Sequence, residues 1–332
     1  MKIKYALIYS NKEKNHTHIN LFVYTEKKFV ADTLITKAPP WFDHYIKASS
    51  SDHLVTICGC KIHYRKWQKD SKIDRPSLIF VHGNSAHLHW WDFIAPGFLD
   101  NYDVIAVDLS GSGDSEHRKE YSLEVFCNEI IGVCEDAKLN TITIIGHSFG
   151  GNIARSCAFL YPNFFSRLIL VDSSLEKRAS HPVYLKTKNT TKRYYDTLEE
   201  ATKRFKLRPS QPCANQYILD YIGAHSVRKT TSGYYFKLDE QLFKKMNKTN
   251  LPTAFSMIKA ISCPVGLIYG AKSRFFTPQS IQRLERVLPK KHIISIKNTY
   301  HHLFLETPEI FVEKLDYLAN LMLPKDPLMY SP

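Results

Sequence analysis

The chain has 332 residues, 44% hydrophobic and 23% charged, a composition that buries one large core and excludes a disordered or low-complexity protein. Its 45 basic residues against 32 acidic ones leave a net charge of +13, but no nucleic-acid-binding motif accompanies the surplus, so no nucleic-acid partner is predicted and the charge reads as solvated surface. No stretch is long and uncharged enough to span a bilayer, the apolar run after Met1-Lys2 is too short for a secretion signal, and seven scattered cysteines read as free core thiols in a reducing cytoplasm.

Residues 1 to about 50 form an extension ending in Pro39-Pro40-Trp41-Phe42, whose Trp41 and Phe42 are expected to pack on the core. Leu54 to Trp67 reads as a hairpin, with Cys58 and Cys60 on one face of a strand around Gly59. Ser77-Leu78-Ile79-Phe80-Val81 is a short apolar strand, closed by the turn His82-Gly83-Asn84. In the loop Asp108 to Ser115, Gly111 and Gly113 permit a tight turn, and the acids Asp108 and Asp114 are expected to bond nearby backbone amides rather than take part in chemistry.

The densest signal follows. Thr141-Ile142-Thr143-Ile144 is a β-branched run leading into Ile145-Gly146-His147-Ser148-Phe149-Gly150-Gly151, after which Asn152 to Tyr161 has a helical pattern. Strand, Gly-x-Ser-x-Gly and helix together make a nucleophile elbow: the glycines give the backbone room, and Ser148 is lifted to the sheet edge at a helix N-terminus. Arg167-Leu168-Ile169-Leu170-Val171 is the next core strand and ends in Asp172. Ser173 to about Ile261 is an insertion before the strand beginning near Val265, and Thr197 with Glu200 three places on is a capping-box signature within it. Part of the basic surplus lies here, at Lys186, Lys188, Lys192, Arg193, Lys203, Arg204, Lys206 and Arg208. Near the C-terminus, Tyr300-His301-His302 precedes Glu306 and Pro308, and Pro308 suits the first turn of a last helix.

From His82-Gly83, the elbow and the final histidine loop, the chain resembles the α/β-hydrolase superfamily over roughly Val55 to Leu323. The resemblance implies a mostly parallel eight-stranded sheet with helices on both faces and a helical cap, with 1–50 as the extension, 51–172 and 262–332 as the core and 173–261 as the cap. It implies Ser148 as nucleophile and, from the family's usual His-x-x-x-x-Glu-x-Pro register, His301 rather than His302 as base. The backbone N–H groups of Asn84 and Phe149 are the implied oxyanion hole. No metal or organic cofactor is implied.

The acid departs from the common pattern. Many relatives carry it in a Gly-x-x-Asp loop after the penultimate strand, and here that loop, Gly270-Ala271-Lys272-Ser273, holds a serine that cannot stabilise an imidazolium. Asp172 stands at the C-terminal edge of the neighbouring strand, where open α/β sheets place their chemistry, and some haloalkane dehalogenases take their acid from that strand end. An epoxide hydrolase or dehalogenase needs a carboxylate nucleophile where Ser148 stands. The expected function is therefore a cytoplasmic serine hydrolase of small, fairly apolar esters, thioesters or lactones, acting through an acyl-enzyme. Tyr194, Tyr195, Phe205, Tyr234, Tyr235 and Phe236 are candidates either for the acyl pocket or for packing between cap and core. The alternative is a non-catalytic binder or sensor on the same fold, favoured only by Ser273 in the usual acid position.

Overall fold

The computed structural model describes residues 38–69, 74–176 and 192–323. Helix α1 (Pro40–Ile46) precedes the hairpin β1 (Ser50–Ile57) and β2 (Cys60–Trp67), followed by β3 (Ser77–Val81) and β4 (Asp103–Val107). Next come α2 (Leu123–Asp136), β5 (Thr143–His147), α3 (Phe149–Leu160) and β6 (Arg167–Val171). The insertion holds α4 (Leu198–Thr202), α5 (Gln216–His225), the hairpin β7 (Val227–Thr230) and β8 (Gly233–Phe236), and α6 (Ala254–Ala260). The chain then returns with β9 (Val265–Gly270), α7 (Pro278–Leu284), β10 (Ile293–Ile296), α8 (Leu303–Glu306) and α9 (Pro308–Leu321).

One eight-stranded sheet runs in the order β1-β2-β4-β3-β5-β6-β9-β10. Only the β1–β2 and β2–β4 pairings are antiparallel; the rest are parallel. Strands β3 to β6 are buried along their whole length because helices cover both faces, which is why they read as continuous apolar runs. Their side chains alternate between two apolar clusters. Leu78, Phe80, Val104, Ile145 and Ile169 point into the layer that also holds α9 through Phe311, Leu315 and Leu318. Ile79, Val81, Ile105, Ile144 and Leu168 point into the opposite layer, with Phe126 and Ile130 of α2 and Ile153 and Cys157 of α3.

Trp41 and Phe42 pack as expected. Phe42 is fully buried and meets Phe93, Tyr217 and Tyr221 edge-on or tilted, so α1 is clamped between the core and α5. Cys58 does not sit in a strand. It forms the two-residue turn with Gly59, both at positive φ (47° and 71°), and Cys60 opens β2. That turn matches the right-handed twist of the two strands it joins.

Half of the expected capping box forms. Thr197 Oγ1 accepts from the Glu200 N–H at 3.1 Å, while the Glu200 carboxylate reaches the Asp196 amide instead. The insertion also contains the β7–β8 hairpin, which the sequence patterning did not indicate. Asp114 holds it to the core by ion pairs to Arg228 and Lys237, at 2.9 and 2.7 Å. Asp108 behaves as expected, accepting the backbone N–H groups of Leu88 and Asp114. A Cβ on Gly113 would lie 2.1 Å from the Asp108 carboxyl carbon, so the loop requires glycine there. Lys186 and Lys188 lie outside the described residues, as do residues 1–37 of the extension. Among the described residues no helix is long and apolar enough to cross a membrane.

Candidate active site

Strands β3 and β5 are neighbours in the sheet, while β4 lies on the far side of β3, so the chain direction switches at this point. Crevices at such a switch open at the C-terminal strand ends. The turn His82-Gly83-Asn84 leaves β3 there and Ser148 leaves β5 beside it. Ser148 has φ 54° and ψ −113°, a strained conformation held by its own N–H bonded to Val171 O at 2.9 Å and its carbonyl accepting from Ser173 Oγ at 2.8 Å. The two motif glycines are steric necessities. A Cβ on Gly146 would lie 2.4 Å from Gly150 O, and one on Gly150 would lie 2.4 Å from both Val81 O and His82 O.

His301 Nε2 lies 2.9 Å from Ser148 Oγ, and His301 Nδ1 lies 2.6 Å from Asp172 Oδ2. Ser148 is half-buried, while His301 and Asp172 are 4% and 1% exposed, so the carboxylate meets the imidazole away from bulk water. Asp172 is itself fixed at both oxygens. Its Oδ1 accepts the Gly270 N–H at 2.9 Å, and its Oδ2 also accepts from Ser273 Oγ at 2.6 Å. The hydroxyl in the usual acid position thus donates to the carboxylate on the next strand.

The remaining neighbours hold this arrangement. Glu306 Oε1 accepts the Tyr300 N–H at 2.8 Å and a Gln211 amide hydrogen at 2.7 Å, bracing the loop that carries His301. His147 donates from Nε2 to the His301 carbonyl at 3.1 Å, and burial together with the charge of His301 lowers its pKa to about 3. His302 is buried against Trp90, and burial followed by repulsion from His147 and His301 pushes its pKa well below the ordinary value. Both flanking imidazoles therefore stay neutral. His82 accepts the Leu109 N–H at Nε2 and donates from Nδ1 to Gly83 O, which pins the turn bearing Asn84. Among the described residues, the backbone N–H groups of Asn84 and Phe149 donate to no protein acceptor, and both residues line the cavity that reaches Ser148.

Two groups of possible metal ligands occur among the described residues, His147 with His301 and His302, and His63 with Asp108 and Asp114. In the first, both His301 nitrogens are already engaged by Asp172 and Ser148; in the second, Asp108 already holds His63 and two backbone amides.

The cavity has a volume of about 980 Å³. Its apolar wall comes from Phe149, Phe243, Met246, Leu251, Phe255 and Phe275, with Leu175 and Val287. None of Tyr194, Tyr195, Phe205, Tyr234, Tyr235 or Phe236 lines it. Tyr195 packs with Ala201, Val227, Tyr234 and Phe236 in a separate small cluster and Phe205 packs on the main core, whereas Tyr194 is exposed and meets the Tyr235 ring.

A sequence profile described as the α/β hydrolase fold matches residues 76–308. The chain belongs to the α/β-hydrolase fold family. The uncharacterized hydrolase YugF of Bacillus subtilis is 27% identical over 81% of this chain and 98% of its own length. Human epoxide hydrolase 4 is 28% identical over 34% of this chain and 32% of its own. Among solved structures, the peroxisomal α/β-hydrolase Lpx1 of Saccharomyces cerevisiae superposes with a TM-score of 0.66 at 20% identity, covering 86% of this chain and 91% of that one. This α/β hydrolase is an enzyme of the hydrolase class.

Proposed function

We propose that the protein is a serine hydrolase that cleaves small, fairly apolar esters, thioesters or lactones through an acyl-enzyme, with Ser148, His301 and Asp172 as its triad. The observation that carries this reading is the continuous line from Asp172 Oδ2 through the imidazole of His301 to Ser148 Oγ, at 2.6 and 2.9 Å. Ser148 Oγ attacks the substrate carbonyl carbon as its proton passes to His301 Nε2. The oxyanion that forms accepts hydrogen bonds from the N–H groups of Asn84 and Phe149, at the N-terminus of α3. The leaving alcohol or thiol takes the proton from His301 as the carbonyl re-forms. Water, deprotonated by the same nitrogen, then attacks the acyl-enzyme and releases the acid. Throughout, Asp172 accepts the Nδ1–H and stabilises the imidazolium.

A non-catalytic sensor rested on Ser273 occupying the usual acid position. Its hydroxyl bonds instead to a carboxylate already set against His301, which favours the enzyme. Labelling by a fluorophosphonate probe tests the reading directly. The native protein should be labelled at Ser148 and should hydrolyse short p-nitrophenyl esters, whereas Ser148→Ala should do neither while melting at nearly the same temperature. Turnover retained in a pure Ser148→Ala sample would rule out the mechanism.

A further inference from the structure

One buried cation in the cavity has no counter-charge among the described residues. Arg155 lies on α3 seven residues beyond Ser148, on the same helical face and about 10 Å further along the axis. It lines the cavity that contains Ser148 and is only 6% exposed. Its Nη2 donates to Asn152 Oδ1 at 2.9 Å, but Nε and Nη1 find no hydrogen-bond partner among the described residues. Nε carries one N–H and Nη1 two, so three of the five donors of a buried guanidinium are unmet. Burial pushes its pKa down to about 10, and no carboxylate among the described residues offsets the effect.

A buried charge without a partner is among the costliest features a fold can keep. The lining adds Lys259, Arg283 and Arg286 against two acids, Asp172, which is engaged by His301, and Glu176, paired with Arg283 at 3.0 Å. The site is therefore positive where its wall is otherwise apolar.

We propose that Arg155 anchors a carboxylate carried by the substrate, so that the compounds cleaved at Ser148 are apolar chains bearing one anionic group within about 10 Å of the scissile carbonyl. The proposal rests on the hydrolase reading of Ser148 and narrows its substrate class. A carboxylate fits better than a phosphate because Arg155 is the one buried cation lining the cavity among the described residues. The guanidinium reaches such a ligand by turning about its terminal bonds, releasing only its contact with Asn152.

The test separates binding from turnover. Calorimetry on Ser148→Ala protein would compare monomethyl pimelate with neutral dimethyl pimelate, and 6-acetoxyhexanoate with its methyl ester, which places the carboxylate on the acyl or the alcohol side. At least one anion should bind tenfold or more tightly than its neutral partner, and Ser148→Ala/Arg155→Met should lose that preference. On the otherwise native enzyme, the kcat/KM ratio of acid to neutral ester, followed by pH-stat, should fall towards one with Arg155→Met and recover in part with Arg155→Lys. The Tm of Arg155→Met should stay level or rise, because an uncompensated charge is removed. Equal affinity for acid and neutral forms in both pairs, or a preference that survives Arg155→Met, overturns the proposal. So does a clear fall in Tm, which would make the guanidinium a structural group. An anionic preference in binding with no turnover of any ester by native enzyme would sink the hydrolase reading and leave the anchor standing.

Discussion

Replacing Asp172 by asparagine tests the proposed triad at the atom on which it turns. Asp172 Oδ1 faces the Gly270 N–H, a donor, so the amide oxygen of an asparagine must take that place. The amide nitrogen then occupies the Oδ2 position, 2.6 Å from His301 Nδ1 and 2.6 Å from Ser273 Oγ. It donates to Nδ1, and the ring proton moves to Nε2. There the imidazole offers a hydrogen to Ser148 where it should receive one. The general base is lost and the imidazolium loses its counter-charge, which should lower kcat by about 10³ to 10⁴, or roughly 4–5.5 kcal/mol of barrier. The shape is preserved, so Tm should change little. Steady-state hydrolysis of p-nitrophenyl acetate reads the rate and thermal denaturation reads the fold. Adding Ser273→Asp returns a carboxylate next to the lost one and should recover part of the rate. A folded Asp172→Asn enzyme within about tenfold of the native kcat would refute the assignment.

His301→Ala should be as damaging as loss of the serine, because the two act as a unit, whereas His302→Ala should chiefly lower Tm by opening a hole in a buried site; parallel kinetics and melting curves separate them. Ser273→Ala removes one hydroxyl donor from Asp172 and should cost on the order of tenfold in kcat with little change in KM, far less than Asp172→Asn. A pH effect on stability is expected at His63. Burial opposes its charge, but hydrogen bonds to Asp108 and Asp52 outweigh burial and raise its pKa to about 9. The stabilisation is then fully present below about pH 6.5, the unfolded value, and lost as pH rises through 9. The Tm gap between native protein and His63→Gln should be widest near pH 6 and nearly closed near pH 10, as read by denaturation across that range.

The parts of the fold that were legible in the sequence are those with a strong local cause. Continuous apolar strands such as Leu78 to Val81 announce burial on both faces, and Gly146 and Gly150 announce a turn that no Cβ would fit. Other features depend on partners distant in the chain. The β7–β8 hairpin shows no regular alternation, because its side chains are half-covered by the rest of the insertion and tied to Asp114, over a hundred residues earlier. Ser273 looked like a vacancy because its value lies in Asp172, which precedes it by 101 positions. Glu306 served only to set the register of His301, and its bracing of Tyr300 emerges once the loop is folded. Arg155 resembles any arginine on an amphipathic helix until its surroundings are known.

The contact between Ser273 and Asp172 also bears on how such enzymes can diverge. The ends of β6 and β9 stand so close that an acid at 273 and an acid at 172 would share one proton, as paired carboxyls do, and the pair would still carry the single negative charge the imidazole needs. A doubled arrangement of this kind would let either acid be replaced while the other stays against the imidazole. Under the proposed triad, its third member can stand at either of two adjoining strand ends, and its position is a poor guide to what the enzyme cleaves.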